Sequence, residues 1–142
     1  PFRLSPGFSV VPTGVAVNGT GPTRGIHAEP WNTYVSIVRG SGFAAYVDLR
    51  VGDIFGCLHT VELTPKTAVF IPAGVGNSYQ CLTDLHYLYS VDEHWSPAAY
   101  ESSVCVNPAA PELGIAWPIS LDRAVLSDDV RRHRELSDVG RA

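Results

Sequence analysis

The chain has 142 residues, of which 45% are hydrophobic and 17% charged, with a formal net charge of -4 at pH 7. This length and composition are typical of one globular domain with its own core, and we predict a single domain over residues 1–142. The negative charge argues against nucleic acid or an anionic membrane as a partner, because both reward clustered Lys and Arg.

Short β-rich runs that end at Gly or Pro turns follow one another along most of the chain. The clearest is 43–49, where Phe43, Ala45, Val47 and Leu49 alternate with smaller or polar residues, the period-two pattern of a strand. We predict strands at 8–11, 14–18, 34–38, 43–49, 60–63, 67–71, 78–82, 86–91 and 103–106. So many short strands predict an all-β fold, an antiparallel β-sandwich of the jelly-roll or cupin-like kind.

One short helix is predicted, near the C-terminus. Ser127 can cap it, and Asp128 and Asp129 would lie in its first turn, where carboxylates are favoured by the helix dipole.

The cysteines and the hydropathy pattern bear on location. Cys57, Cys81 and Cys105 are odd in number and lie in apolar stretches, so we interpret them as buried free thiols, which suits a reducing compartment. The longest apolar runs have strand length, and no signal-peptide pattern is found. We therefore expect a cytoplasmic protein that makes no membrane contact.

The run from Arg24 to Trp31 concentrates chemically useful side chains. It places a guanidinium, the imidazole of His27, the carboxylate of Glu29 and an indole within eight residues. On a regular strand, His27 and Glu29 would share one face and Arg24 the other. His27 suits a general base because its pKa lies near working pH, although it could equally be a hydrogen-bonded structural residue, and Arg24 a surface cation.

Two further patterns concern a cavity and a metal. Tyr46 alternates onto the strand face opposite the apolar set, so we predict that it faces a cavity. The H-x-H motif that supplies converging ligands in metal-binding cupins is missing, and we predict no metal centre.

The segment Arg24-Gly25-Ile26-His27 is similar to the R-G-[LI]-H motif of the dTDP-4-dehydrorhamnose 3,5-epimerase family. Further segments resemble that family's motifs in the same order along nearly the whole chain: 47–50 (V-D-L-R), 68–74 (the P-x-G turn), 114–118 (G-I-A-W-P) and 126–127 (L-S). The resemblance implies a jelly-roll homodimer without metal or cofactor. It also implies that His27 removes a proton next to the ketone of a nucleotide-linked 4-keto-6-deoxyhexose, while Arg24 binds the diphosphate.

The chain departs from the family pattern at three chemical positions. The family's lysine after the motif falls on Thr33, its tyrosine acid on Trp95, and its aspartate partner of the histidine on Val130, with Asp129 one position away. We therefore predict that other side chains share the work. The predicted catalytic residues are His27, Tyr46 and Tyr79, and the predicted substrate-binding residues are Arg24, Glu29, Trp31, Thr33, Tyr34, Asn77 and Trp95.

These departures leave three functions open. The first is epimerisation of a nucleotide-linked ketosugar. The second is an isomerase or cyclase of secondary metabolism that acts on a more apolar substrate, because Thr33 and Val130 make the site less polar than Lys and Asp would. The third is a binding protein without catalytic activity.

Overall fold

The computed structural model describes residues 7–94 and 96–140, which form nine strands and several short helices. The strands are β1 (Thr13–Asn18), β2 (Thr23–Ala28), β3 (Thr33–Arg39), β4 (Gly42–Asp48), β5 (Leu58–Leu63), β6 (Ala68–Ile71), β7 (Val75–Cys81), β8 (Leu85–Val91) and β9 (Val104–Cys105). They make a four-stranded sheet in the order β1-β8-β3-β6 and a five-stranded sheet in the order β5-β4-β7-β2-β9, with every pairing antiparallel. The predicted β-sandwich is confirmed.

Two apolar cores lie on the two sides of the five-stranded sheet. The first fills the space between the sheets and includes Val35, Leu85 and Tyr46. The second packs Val47 and other residues of the outer face against the C-terminal third of the chain. Alternate residues of β4 face opposite sides of the sheet, as predicted. Both faces of the strand are buried, however, and Tyr46 belongs to the core between the sheets.

A buried amide holds the irregular C-terminal region on the five-stranded sheet. Gln80 on β7 is fully buried, and its Nε2 donates to Thr23 Oγ1 (2.9 Å) and to the carbonyl of Ile119 (2.8 Å). Its Oε1 accepts a hydrogen bond from the Ile119 N–H (2.7 Å). Because both ends of the amide are paired, the burial of this polar side chain carries little penalty.

The observed helices agree only in part with those predicted from the sequence. The predicted helix is α2 (Asp128–Arg131), capped by Ser127, whose hydroxyl accepts from the Val130 N–H (3.4 Å). The prediction of a single helix is wrong, because α1 (Pro97–Glu101) and α3 (Leu136–Val139) are also present. At four or five residues each, these helices are too short to show a 3.6-residue period in the sequence.

Some smaller expectations need correction. Residues 8–11 form no strand, although the Val11 N–H donates to the carbonyl of Val91 (3.0 Å) beside β8. Cys81 is buried as predicted, whereas Cys57 is exposed in the turn region after β4. None of the helices in the described part of the chain has the length and apolar character needed to cross a membrane.

A β-bulge in β2 decides which way its side chains point. Arg24 pairs with Tyr79 of β7 and His27 pairs with Asn77, so three steps along β2 correspond to two along β7. The extra residue interrupts the alternation. Arg24 and His27 therefore project to the same side of the sheet, contrary to the expectation for a regular strand.

Gly25 lies within this bulge and has a φ of +96°, a region that residues with a side chain rarely adopt. A Cβ at this position would collide with the carbonyl oxygen of Asn77 and would lie 2.7 Å from Ser78 Cβ. Both contacts involve the neighbouring strand, which cannot move aside easily. The bulge therefore requires glycine.

We predict that Gly25→Ala lowers the free energy of unfolding by about 1–3 kcal/mol more than Gly114→Ala does, as measured by urea titration. Gly114 is the control because it also has a positive φ (+56°) but has open space where a Cβ would be. Its substitution costs only the left-handed backbone strain, about 1–2 kcal/mol. Equal losses in the two variants would contradict the steric argument.

Candidate active site

A cavity of about 510 Å³ opens between the two sheets and collects most of the predicted site residues. Strands β1, β3 and β8 supply one wall, and β2 and β7 supply the other. Seven residues singled out in the sequence line it: Arg24, His27, Glu29, Trp31, Thr33, Asn77 and Tyr79. Because these side chains come from three strands and the turn after β2, the fold brings together groups up to 55 positions apart in the chain.

His27 is half-buried, and the centroid of its ring lies 5.2 Å from that of His133, which follows α2. Burial lowers the pKa of His27, and the positive charge of a protonated His133 lowers it further. An imidazole whose pKa is below its usual value of about 6.5 is neutral at pH 7 and can accept a proton. The ring is therefore in the form that a general base requires.

Arg24 begins a polar chain along the cavity wall. Its Nη2 donates to Asn18 Oδ1 (3.1 Å), and Asn18 Nδ2 donates to the hydroxyl of Tyr79 (3.4 Å). Arg24 is exposed, so the rest of its guanidinium is accessible to a ligand. A guanidinium presents paired donors that match phosphate oxygens.

Glu29 and Trp31 form a second polar pair in the cavity. Trp31 Nε1 donates to Glu29 Oε2 (2.9 Å). Burial raises the pKa of Glu29, and this hydrogen bond opposes the rise because it favours the carboxylate. The pair fixes the indole ring and places a carboxylate two residues from His27 on the same side of the chain.

Tyrosines make much of the remaining wall. The rings of Tyr79 and Tyr87 stack with centroids 4.2 Å apart, and the Tyr87 hydroxyl and the Asn77 amide exchange hydrogen bonds at 3.2 and 3.4 Å. Burial raises the pKa of Tyr79 to about 12 and that of Tyr87 well above its usual value. Both phenols therefore stay protonated near neutral pH and can donate hydrogen bonds.

Tyr87 and Tyr89, which were not among the predicted site residues, also line the cavity. The signal was available, because Tyr87, Tyr89 and Val91 alternate along the predicted strand 86–91. Tyr89 lies so close to Gly14 that a Cβ there would be 2.9 Å from Tyr89 Cε1 and closer still to Cζ and the hydroxyl oxygen. Gly14 thus makes room for the ring.

Two of the predicted site residues that the structure describes, Tyr46 and Tyr34, are not among those that line the cavity. Tyr46 is 6% exposed in the inter-sheet core, and its hydroxyl has no hydrogen-bond partner among the described residues. Tyr34 follows Thr33 on β3 and so points to the outer face of the sheet. Trp95 lies outside the described residues.

The position of the family's aspartate is occupied differently. Val130 is buried, and the neighbouring Asp129 is an exposed residue that accepts from Arg132 Nη2 (3.2 Å). The group that contacts the His27 ring is His133. No local pattern in the sequence could have revealed this contact, because it depends on how the segment after α2 folds back on β2.

Comparisons with known proteins agree with this geometry. The sequence profile of the dTDP-4-dehydrorhamnose 3,5-epimerase family matches residues 5–138. A protein named RmlC homolog from Streptococcus pyogenes is 38% identical over 118 residues, which are 82% of this chain and 59% of that protein. The dTDP-4-dehydro-6-deoxyglucose 3-epimerase of Streptomyces bikiniensis is 38% identical over 129 residues, which are 85% of this chain and 64% of that enzyme. This chain thus spans about three-fifths of the length of these relatives.

Solved structures superpose closely as well. RmlC from Streptococcus suis, in complex with dTDP-D-xylose, matches with a TM-score of 0.85 and 34% identity over 90% of this chain and 66% of that one. The 3'-monoepimerase ChmJ from Streptomyces bikiniensis, in complex with dTDP-quinovose, matches with a TM-score of 0.85 and 34% identity over 94% of this chain and 70% of that one. The match in sequence and in fold covers nearly all of the chain, which belongs to the dTDP-4-dehydrorhamnose 3,5-epimerase family.

Proposed function

We propose that this chain carries out an epimerase-type proton transfer on a nucleotide-linked 4-keto-6-deoxyhexose. The observation that carries the proposal is that His27 and Arg24 line one cavity, because the bulge at Gly25 turns both to the same side. A base and a phosphate-binding cation on one wall suit a substrate with an acidic C–H group and a diphosphate. Relatives that are in complex with dTDP-sugars support this substrate class.

The first step is removal of a proton from carbon. The ketone acidifies the adjacent C–H bonds, and the neutral imidazole of His27 takes the proton while the bonding electrons move to the ketone oxygen as an enolate. Placement of a base in a cavity between two sheets keeps much bulk water away from it.

The enolate oxygen must then be stabilised without a lysine. The only lysine of the chain, Lys66, lies in the turn between β5 and β6, and Thr33 stands at the position of the family's lysine. We infer that neutral donors replace the cation. Thr33 and the protonated phenol of Tyr87 both line the cavity and can each donate a hydrogen bond to a developing oxyanion.

Return of a proton to the opposite face of the sugar completes the inversion. We infer that Tyr79 supplies it, because its ring extends from β7 to stack on Tyr87 of the facing wall and its raised pKa keeps it protonated. Arg24 on the diphosphate and the indole of Trp31 would hold the substrate during both steps. Tyr46 is a weaker candidate for the acid because its hydroxyl lies in the core.

A second candidate is an isomerase or cyclase that acts on a more apolar ketone. It is favoured by the aromatic lining of the cavity, which includes Trp31, Tyr79, Tyr87 and Tyr89. A substrate of this kind would not need Arg24, so binding of the nucleotide part alone separates the two candidates. Tight dTDP binding that depends on Arg24 supports the nucleotide-sugar substrate.

We predict that the protein in deuterated water exchanges the C3 proton of dTDP-4-keto-6-deoxyglucose, with or without the C5 proton, as followed by NMR. His27→Gln should slow this exchange by about 10²–10⁴-fold, because it removes the base. His59→Gln is the matched control, since His59 is exposed on β5 away from the cavity. If the nucleotide sugar binds but no proton exchanges, the protein is a binding protein and the proposal fails.

We predict that Tyr79→Phe separates exchange from inversion. The base remains, so the substrate proton still exchanges, but the rate at which the epimer forms should fall by about 10²-fold or more. Tyr46→Phe should leave both rates within about twofold of wild type and leave stability equal or higher, since it deletes an unpaired buried hydroxyl. The opposite pattern would assign the acid to Tyr46.

We also propose that the protein is a homodimer that uses the outer face of the four-stranded sheet. This face carries Val15 (56% exposed) and Val17 (67% exposed) on β1, together with Phe70 on β6. Large apolar side chains grouped on one exposed face are typical of an interface. Tyr34, which points to the same face, would then have a role in assembly instead of substrate binding.

We predict that Val17→Glu converts the dimer to a monomer, as measured by sedimentation velocity, because two like charges would be buried in a symmetric interface. Val51→Glu serves as the control, since Val51 is fully exposed in the region after β4. A wild-type monomer, or a dimer that Val17→Glu leaves intact, would disprove this interface.

A further inference from the structure

His27, Cys105 and His133 form a cluster of metal-binding donors. One nitrogen of each histidine and the sulfur of Cys105 all lie within 4.8 Å of one another. All three side chains are partly buried. Two imidazoles and one thiol are the donor types that zinc prefers.

The cluster is held together by the fold. Cys105 on β9 is the direct partner of His27 on β2 in the antiparallel ladder, so the two side chains lie next to each other on the same face. His133 comes from the segment after α2, where Arg134 forms a bridge with Val106 just beyond Cys105. The Asn107 N–H donates to the carbonyl of Arg134 (2.9 Å), which fixes that segment beside β9.

Two independent observations suggest that the cluster binds a ligand. The Nδ1 atom of His133 is buried and has no hydrogen-bond partner among the described residues, a cost that a metal ion bound at that nitrogen would remove. The three residues also line a second cavity, of about 420 Å³, which lies on the side of His27 nearer to α2. An ion and a water molecule can therefore reach the donors from solvent.

We propose that His27, Cys105 and His133 bind a zinc ion in a site with an open fourth position. Zinc–nitrogen bonds of about 2.0–2.1 Å and a zinc–sulfur bond of about 2.3 Å would place the donors of a tetrahedral site about 3.3–3.6 Å apart. Donors that now lie up to 4.8 Å apart would have to approach one another by up to about 1.5 Å, which requires rotation of the side chains as the ion binds. The thiol proton is released to solvent as the zinc–sulfur bond forms, and a water or a small anion completes the tetrahedron.

Zinc at this site would inhibit the proposed reaction, because it would prevent His27 from acting as a base. The ion takes the lone pair of the His27 nitrogen that it binds and holds the ring on the side of the second cavity. The inhibition, unlike the binding, rests on the proposed function. The expectation of a metal-free protein came from the missing H-x-H motif, which cannot detect ligands drawn from three separate segments.

The test uses cobalt(II) as a spectroscopic substitute for zinc in the untagged, EDTA-treated and dialysed protein. We expect one equivalent to bind, with a thiolate-to-metal charge-transfer band in the near ultraviolet and the visible bands of tetrahedral cobalt, all lost when zinc is added. Cys105→Ser should abolish the charge-transfer band, and His133→Asn should weaken binding by about tenfold or more. Cys57→Ser should retain both signals, since Cys57 is an exposed thiol elsewhere.

Other outcomes would overturn the proposal. They are the lack of a charge-transfer band in wild type, a band that survives in a folded Cys105→Ser variant, or a band that is lost in Cys57→Ser. The proton-exchange assay separates this proposal from the proposed function. Exchange in EDTA that saturating zinc leaves unchanged would show that His27 is not a ligand. Zinc binding without any exchange in EDTA would sustain the metal site and refute the epimerase.

Discussion

The close approach of β2 to β7 at Gly25 is the constraint on which the candidate site depends. A side chain there would collide with the neighbouring strand, and without the bulge His27 and Arg24 would point to opposite faces of the sheet. One residue without a side chain thus decides whether the proposed base and the proposed phosphate-binding cation meet in one cavity. The motif that begins at Arg24 combines two functional side chains, those of Arg24 and His27, with a backbone conformation that only glycine can adopt at position 25.

The strands could be predicted from the sequence because their signal is local. Alternation located β4, a β-rich run between turn residues located β8, and the cap at Ser127 located α2, since each signal depends only on near neighbours in the chain. The bulge placed Arg24 on the face opposite to the expected one. This could not be predicted, because a register shift depends on two paired strands and produces no periodic pattern in the sequence of either strand. The contact of His27 with Cys105 and His133 was missed for the same reason, as it joins three segments that are far apart in the sequence.

The electrostatics of the cavity suggest how a site can work with few charges. Its only cation among the described lining residues is Arg24 at the rim, beside a carboxylate, a neutral imidazole and protonated phenols. Neutral donors stabilise an oxyanion through oriented dipoles, and they lose less solvation energy on burial than a lysine would. Such a site would stabilise an enolate less strongly than one with a lysine.

The contact between Gly14 and the ring of Tyr89 has a consequence for how the cavity could change its size. Any larger residue at position 14 forces the phenol of Tyr89 into another rotamer. The width of the cavity therefore depends on Gly14, although this residue has no side chain that could contact a substrate. A comparison of contact residues alone would overlook it. A substitution that adds a single methyl group to β1, an edge strand, can therefore change which substrates fit the cavity. Every polar residue of the site would stay the same.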